Sequence, residues 1–352
     1  PWPTMAMQVC HWSQAEKMGM GISMNAQKQF TLVLPFKLSG YHGANELLRL
    51  TDILLPSLDK FLDSNAVHTF FIVCKDDEVQ IVKEALSGQK IPVNIEVRSE
   101  NTLLKPETIA NTKGWYIQQL IKLGVARVVA TEYYLVLDAD CFLTRYFTYT
   151  NLFHGDKLIT NTESWTVHKD WWLNSLNIME MSLEEISNNA VIAATPQSLK
   201  TGVVLELLDL LDHKAGRVGW EAYLSERKFT EFSLYWLFLI RNNLTHLYHS
   251  GNSPVLLGNA LWNLHHPQNP GFFARLLPKR FRPGVTLSEE NTRLIRQHVD
   301  ACFQHNGDSF FSLVQSNING ISVEWLSAQL QKYWRPNASA QDTDAGENRS
   351  SC

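Results

Sequence analysis

Two aspartates, Asp138 and Asp140, close the run Tyr133-Tyr134-Leu135-Val136-Leu137-Asp138-Ala139-Asp140. In an extended chain, residues two apart point the same way, so both carboxylates can face one spot. Two carboxylates that close repel unless a positive charge stands between them. Mg2+ or Mn2+ meets that need and is typically shared with substrate phosphates rather than caged by protein alone. The competing reading is a turn that uses two aspartates and binds nothing. The apolar strand before the pair favours the metal, because open α/β sheets bind ligands at the carboxyl ends of their strands.

A second set of groups lies just upstream. Between Gly114 and Val129, Ile117, Leu120, Ile121 and Val125 fall on one helical face, and Trp115, Gln118, Gln119 and Lys122 on another. Beside the metal strand, Lys122 would offset diphosphate charge and Gln118 would reach the same ligand. A solvated helix face explains the polar stripe equally well.

These groups need a scaffold. Strands are expected over Phe30 to Phe36, His68 to Cys74, Val93 to Arg98 and Glu132 to Leu137. Helices are expected over Asn45 to Leu62, with Pro56 as a kink or break, Asp76 to Leu86, and Gly114 to Val129. The alternation predicts an α/β fold with a mostly parallel sheet covered by helices. The second half is less regular. Strands are expected at Lys157 to Asn161, Ala190 to Ala194, Ser253 to Leu257 and Phe310 to Gln315. Helices are expected at Ser198 to Asp212, Phe229 to Asn242, and Thr286 to Gln304 with Ser288 as its cap. The chain thus divides into a poorly ordered or vector-derived extension at 1–28, a ligand-binding half at 29–145, a second half at 146–334, and a disordered tail at 335–352.

Asp138-Ala139-Asp140 after four strands resembles the DxD signature of GT-A glycosyltransferases. The run from Gly114 to Leu123, then YYLVLDADCFLTR, and Phe310 to Ser316 are similar to a bacterial branch associated with capsule and surface-polysaccharide genes. The resemblance spans Phe30 to Trp334. It implies a GT-A (Rossmann-like) sheet and a less regular α+β acceptor half. It also implies a metal-dependent transfer of sugar from a UDP-, GDP- or dTDP-sugar to a glycan or lipid-linked saccharide acceptor. On this reading Asp138 and Asp140 hold the cation, and one of His265 and His266 is its late ligand. Phe36 and Asp76, at the ends of the first two strands, line the nucleoside pocket. Glu231 opens the acceptor-side helix and is the base of an inverting transfer, with Glu163 as its rival. One of Trp165, Trp171 and Trp172 is a platform for the acceptor sugar, since flat rings suit apolar C–H faces.

Composition sets the outer limits. The 352 residues are 45% hydrophobic and 19% charged, with a formal net charge of -4, which argues against a nucleic-acid-binding protein. Five scattered cysteines without a CxxC pair exclude a disulfide framework and a zinc ribbon, and fit a reducing, cytoplasmic setting. The basic, aromatic stretch 271–283 (GFFARLLPKRFRP) reverses the local sign and would allow peripheral contact with an anionic membrane face. Two rivals remain. A phosphatase of the haloacid-dehalogenase type also places DxD after a strand, but Phe142 stands where that motif has Thr or Val. A metal-dependent carbohydrate-binding protein would keep the tryptophans and the metal without a nucleotide-binding half.

Overall fold

The computed structural model describes residues 28–38, 43–261, 289–304, 308–314 and 321–334. The two expected chain ends (save Lys28), Ser288, the pair His265 and His266, and the basic stretch 271–283 lie outside them.

The first half alternates strand and helix: β1 (Phe30–Pro35), α1 (Gly43–Arg49), α2 (Leu55–Phe61), β2 (Val67–Cys74), α3 (Val79–Leu86), β3 (Ile95–Ser99), α4 (Pro106–Asn111), α5 (Gly114–Gly124) and β4 (Tyr133–Val136). Strands β1 and β2 are buried almost throughout, as expected for strands covered on both faces. The chain then runs through β5 (Cys141–Leu143), β6 (Phe153–His154), β7 (Lys157–Ile159), β8 (Thr162–Ser164), α6 (Lys169–Met179), α7 (Glu184–Ser187), β9 (Ala190–Ile192) and β10 (Gln197–Lys200). It continues with α8 (Thr201–Ala215), α9 (Gly219–Ser225), α10 (Glu231–Arg241), α11 (Thr245–Tyr248), β11 (His249–Ser250), β12 (Leu256–Leu261), α12 (Glu289–Cys302), β13 (Ser309–Val314) and α13 (Val323–Trp334).

The main sheet has the order β10-β4-β1-β2-β3. Its pairs are parallel except β10 with β4, which is antiparallel. The fold is therefore mixed α/β, with a mostly parallel sheet flanked by helices and a less regular second part. The edge strand β10 departs from expectation. Ser198 lies in a strand rather than a helix, because Gln197–Lys200 pairs with β4 before the chain passes directly into α8. A smaller sheet, β12-β13-β5, extends from the chain just past Asp140 and fixes where β4 ends.

Pro56 does not end its segment, but the helix is irregular just before it. Leu50–Leu54 widens into a π turn closed by the Leu55 N–H donating to the Leu50 carbonyl, and Pro56 sits in the first turn of α2. A proline removes the bond to the carbonyl four residues back, here that of Asp52. The Ser327 hydroxyl of α13 donates to that carbonyl at 3.0 Å instead. Among the described residues no helix is long and apolar enough to cross a membrane.

Candidate active site

Strand β4 delivers Asp138 and Asp140 to the carboxyl edge of the sheet. The Asp138 N–H donates to Cys141 Sγ at 3.4 Å, and the Cys141 N–H to the Asp138 carbonyl at 3.1 Å, which folds the chain sharply after the strand. Asp140 is only 6% exposed, whereas Asp138 remains half-exposed. Cys141 is buried and its thiol is held well above the ordinary range by that burial and then by Asp140 and Asp138. It is a packing residue, not a nucleophile.

Lys122 is the unexpected centre. The solvated-face reading of the polar stripe fails for it: Lys122 is 4% exposed, because α10 packs against α5. Its Nζ lies 3.1 Å from Glu231 Oε1 and 3.5 Å from Asp138 Oδ1, and donates to Thr195 Oγ1 at 3.4 Å. Burial works against its charge, yet Asp138 and Glu231 beside it raise its pKa above the lysine range. A cation so placed stays protonated. Its own helix is tied to β4 as well, since Tyr134 Oη donates to the Lys122 carbonyl at 2.9 Å.

Glu231 opens α10 as expected, but it is 2% exposed rather than a surface acid serving the helix dipole. Thr230 caps the helix, its hydroxyl accepting from the Ser233 N–H at 3.3 Å. Burial pushes the Glu231 carboxyl up, only partly countered by Lys122. Its Oε1 meets Lys122 while its Oε2 is buried without a hydrogen-bond partner. An acid with a raised pKa and an unpartnered carboxylate oxygen has the chemistry of a proton acceptor.

One further acid was not legible in the sequence. Glu46 of α1 is pushed up to about 7, first by burial and then by Asp140, with Arg49 opposing and Asp138 adding. Glu46 therefore lies within electrostatic reach of the aspartate pair. Nothing in the local pattern of α1 marks it, because only the fold brings α1 to this edge.

The donor set fits a hard divalent cation. Two carboxylates at the mouth of a parallel sheet match the usual share of protein ligands at a cation completed by phosphate oxygens. Among the described residues no three His, Cys, Asp or Glu side chains form a cluster that would enclose a metal by themselves. Lys37, just past β1, reaches the same edge. Its Nζ lies 2.9 Å from where a Cβ would stand at Gly114, the first residue of α5.

The other expected residues are spread wider. Phe36 is buried in the core beneath β1 and β2, while Asp76 is exposed just past β2. Gln118 is partly exposed on α5, one turn before Lys122. Glu163 lies on β8, 3.7 Å from His168 Nε2, with its carboxyl pushed up to about 7 by burial. Of the three tryptophans, Trp172 is 3% exposed and belongs to the core, which removes it from the expected sugar contacts. Trp165 packs partly buried against the same core, and Trp171 stacks on both Trp115 and His168.

A family model described as a family of unknown function (DUF6492) matches residues 27–338. No curated protein matches the chain. Among solved structures, mouse xyloside xylosyltransferase 1 in its apo form is similar with a TM-score of 0.44 at 12% identity, over 82% of this chain and 98% of that one. The galactosyltransferase LgtC, crystallised with donor and acceptor sugar analogs, is similar with a TM-score of 0.43 at 10% identity, over 86% of this chain and 96% of that one.

Proposed function

The chain belongs to the DUF6492 family, and we propose that it is a metal-dependent glycosyltransferase of the GT-A type. It transfers a sugar from a UDP-, GDP- or dTDP-sugar to a glycan or lipid-linked saccharide, in surface-polysaccharide synthesis on the cytoplasmic side. The observation that carries this reading is the convergence of Asp138, Asp140, Lys122 and Glu231 at the carboxyl edge of the sheet, on β4, α5 and α10.

Asp138 and Asp140 would hold Mn2+ or Mg2+. When bound, the cation neutralises the donor diphosphate and the charge that grows on it as the sugar leaves. Lys122 fixes Asp138 and Glu231 relative to one another, and so fixes the donor end of the site relative to the proton-accepting end. Glu231 takes the acceptor hydroxyl proton in an inverting transfer, through the Oε2 that Lys122 does not occupy. The nucleoside would lie toward the ends of β1 and β2, where Lys37 and Asp76 stand beyond the buried Phe36.

A thermal-shift screen tests the reading. Nucleoside diphosphates and nucleotide sugars at about 100 times their Kd should add about 2.7 kcal/mol of stability, and Mn2+ should be required for the effect. The absence of stabilisation by every UDP, GDP and dTDP compound, with Mn2+ present, would overturn it.

A further inference from the structure

Exposed tryptophan at the site's rim is the observation that goes further. Trp115, in the first turn of α5, is 42% exposed. Its ring is not loose: it stacks on Trp171 at 5.3 Å between centroids and 28° between planes, and meets Tyr116 edge-on at 5.0 Å. Trp171 in turn stacks on His168 at 4.1 Å and 16°. Rings held in this way present a flat apolar surface whose ordering is complete before any ligand arrives, so a ligand gains the contact at low entropic cost.

The position and the polar edge select the occupant. Helix α6, which carries Trp171, packs on α10 through Ser175 and Ser233, whose hydroxyls lie 2.6 Å apart. Tyr116, against which Trp115 leans, lies 5.9 Å from Phe229, two residues before Glu231. The stacked rings therefore flank the Glu231 end of the site. At their edge, Glu163 stands 3.7 Å from His168. A carboxyl pushed up to about 7 both donates and accepts hydrogen bonds near neutral pH, and the burial that raises it also pulls His168 down. A pyranose has one apolar C–H face for the rings and equatorial hydroxyls for such groups.

Resting on the glycosyltransferase reading, we propose that the exposed face of Trp115, backed by Trp171 and edged by Glu163 and His168, forms the platform on which the acceptor saccharide stacks. Trp171 supports that ring from between Trp115 and His168, and Glu163 serves as a hydroxyl-binding group there instead of as the base.

Saturation-transfer NMR tests this with methyl glycosides of hexoses, N-acetylhexosamines and pentoses as probes, and UDP, GDP and dTDP with Mn2+ as a separate arm. At least one glycoside should receive saturation mainly on the C–H groups of one ring face. Trp115→Ala, an exposed site that tolerates truncation, should weaken that signal by at least about fivefold, and Trp115→Phe should restore part of it. The proposal is overturned if no glycoside responds, or if the response is indifferent to Trp115→Ala. It is also overturned if Trp115→Ala instead removes saturation of base protons on a bound nucleoside diphosphate. Nucleotide binding without any glycoside signal would sink the platform and leave the transferase standing. A Trp115-dependent glycoside signal without nucleotide binding would do the reverse.

Discussion

Lys122→Met is expected to destabilise the fold by about 3–5 kcal/mol at pH 8, because it leaves Glu231 buried without its counter-charge. The loss should be smaller at pH 5. Burial already holds the Glu231 carboxyl above the ordinary value of 4.5, and removing Lys122 raises it further. The native state then keeps a proton that the unfolded chain releases, so stability is greatest below the unfolded value and falls as pH climbs through the folded one. Adding Glu231→Leu to Lys122→Met should recover most of the loss and flatten the pH dependence, since an apolar pair of similar size needs no charge balance. Urea denaturation of wild type, both single variants and the double variant at pH 5 and pH 8 checks this. A Lys122→Met variant as stable as wild type at pH 8 would mean that the ion pair does not organise the site.

The second large effect concerns rate. Glu231→Gln keeps an oxygen for Lys122 but cannot accept a proton. Transfer from whichever donor the thermal-shift screen selects, to a saccharide or to water, should fall by about 10²–10⁴-fold, the usual range for a positioned base. Donor affinity should stay within about threefold, because Asp138, Asp140 and Lys122 remain. Full activity would move the base elsewhere and leave Glu231 as the partner that keeps Lys122 in place.

Much of this frame was readable in advance. The run Tyr133 to Leu137 is apolar enough to be a buried strand, and the two aspartates directly after it can only emerge at its carboxyl end. The alternation of β1, β2 and β3 with helices follows from ordinary periodicity. What could not be read is long-range. Lys122 has the spacing of a polar stripe, and only the docking of α10, more than 100 residues later in the chain, turns that stripe into a buried cation. The same docking buries Glu231, whose sequence context suits a surface acid in a first helical turn. Glu46 has no local signal at all. Gln197 to Lys200 is strand because β4 needs an antiparallel neighbour, a fact that four residues running into a helix do not carry. Among the tryptophans, composition showed an excess, but only the packing separates buried Trp172 from half-open Trp115.

The central claim is that Asp138 and Asp140 bind a cation shared with a nucleoside diphosphate. Titration calorimetry of UDP, GDP and dTDP into wild type, Asp138→Asn and Asp140→Asn, each with and without Mn2+, tests it most directly. The account predicts that one diphosphate binds wild type at least about 10-fold more tightly with Mn2+, and that either variant loses the Mn2+ effect while keeping the wild-type circular dichroism spectrum. Diphosphate binding that is equally tight without Mn2+, or unchanged in Asp138→Asn and Asp140→Asn, would contradict it.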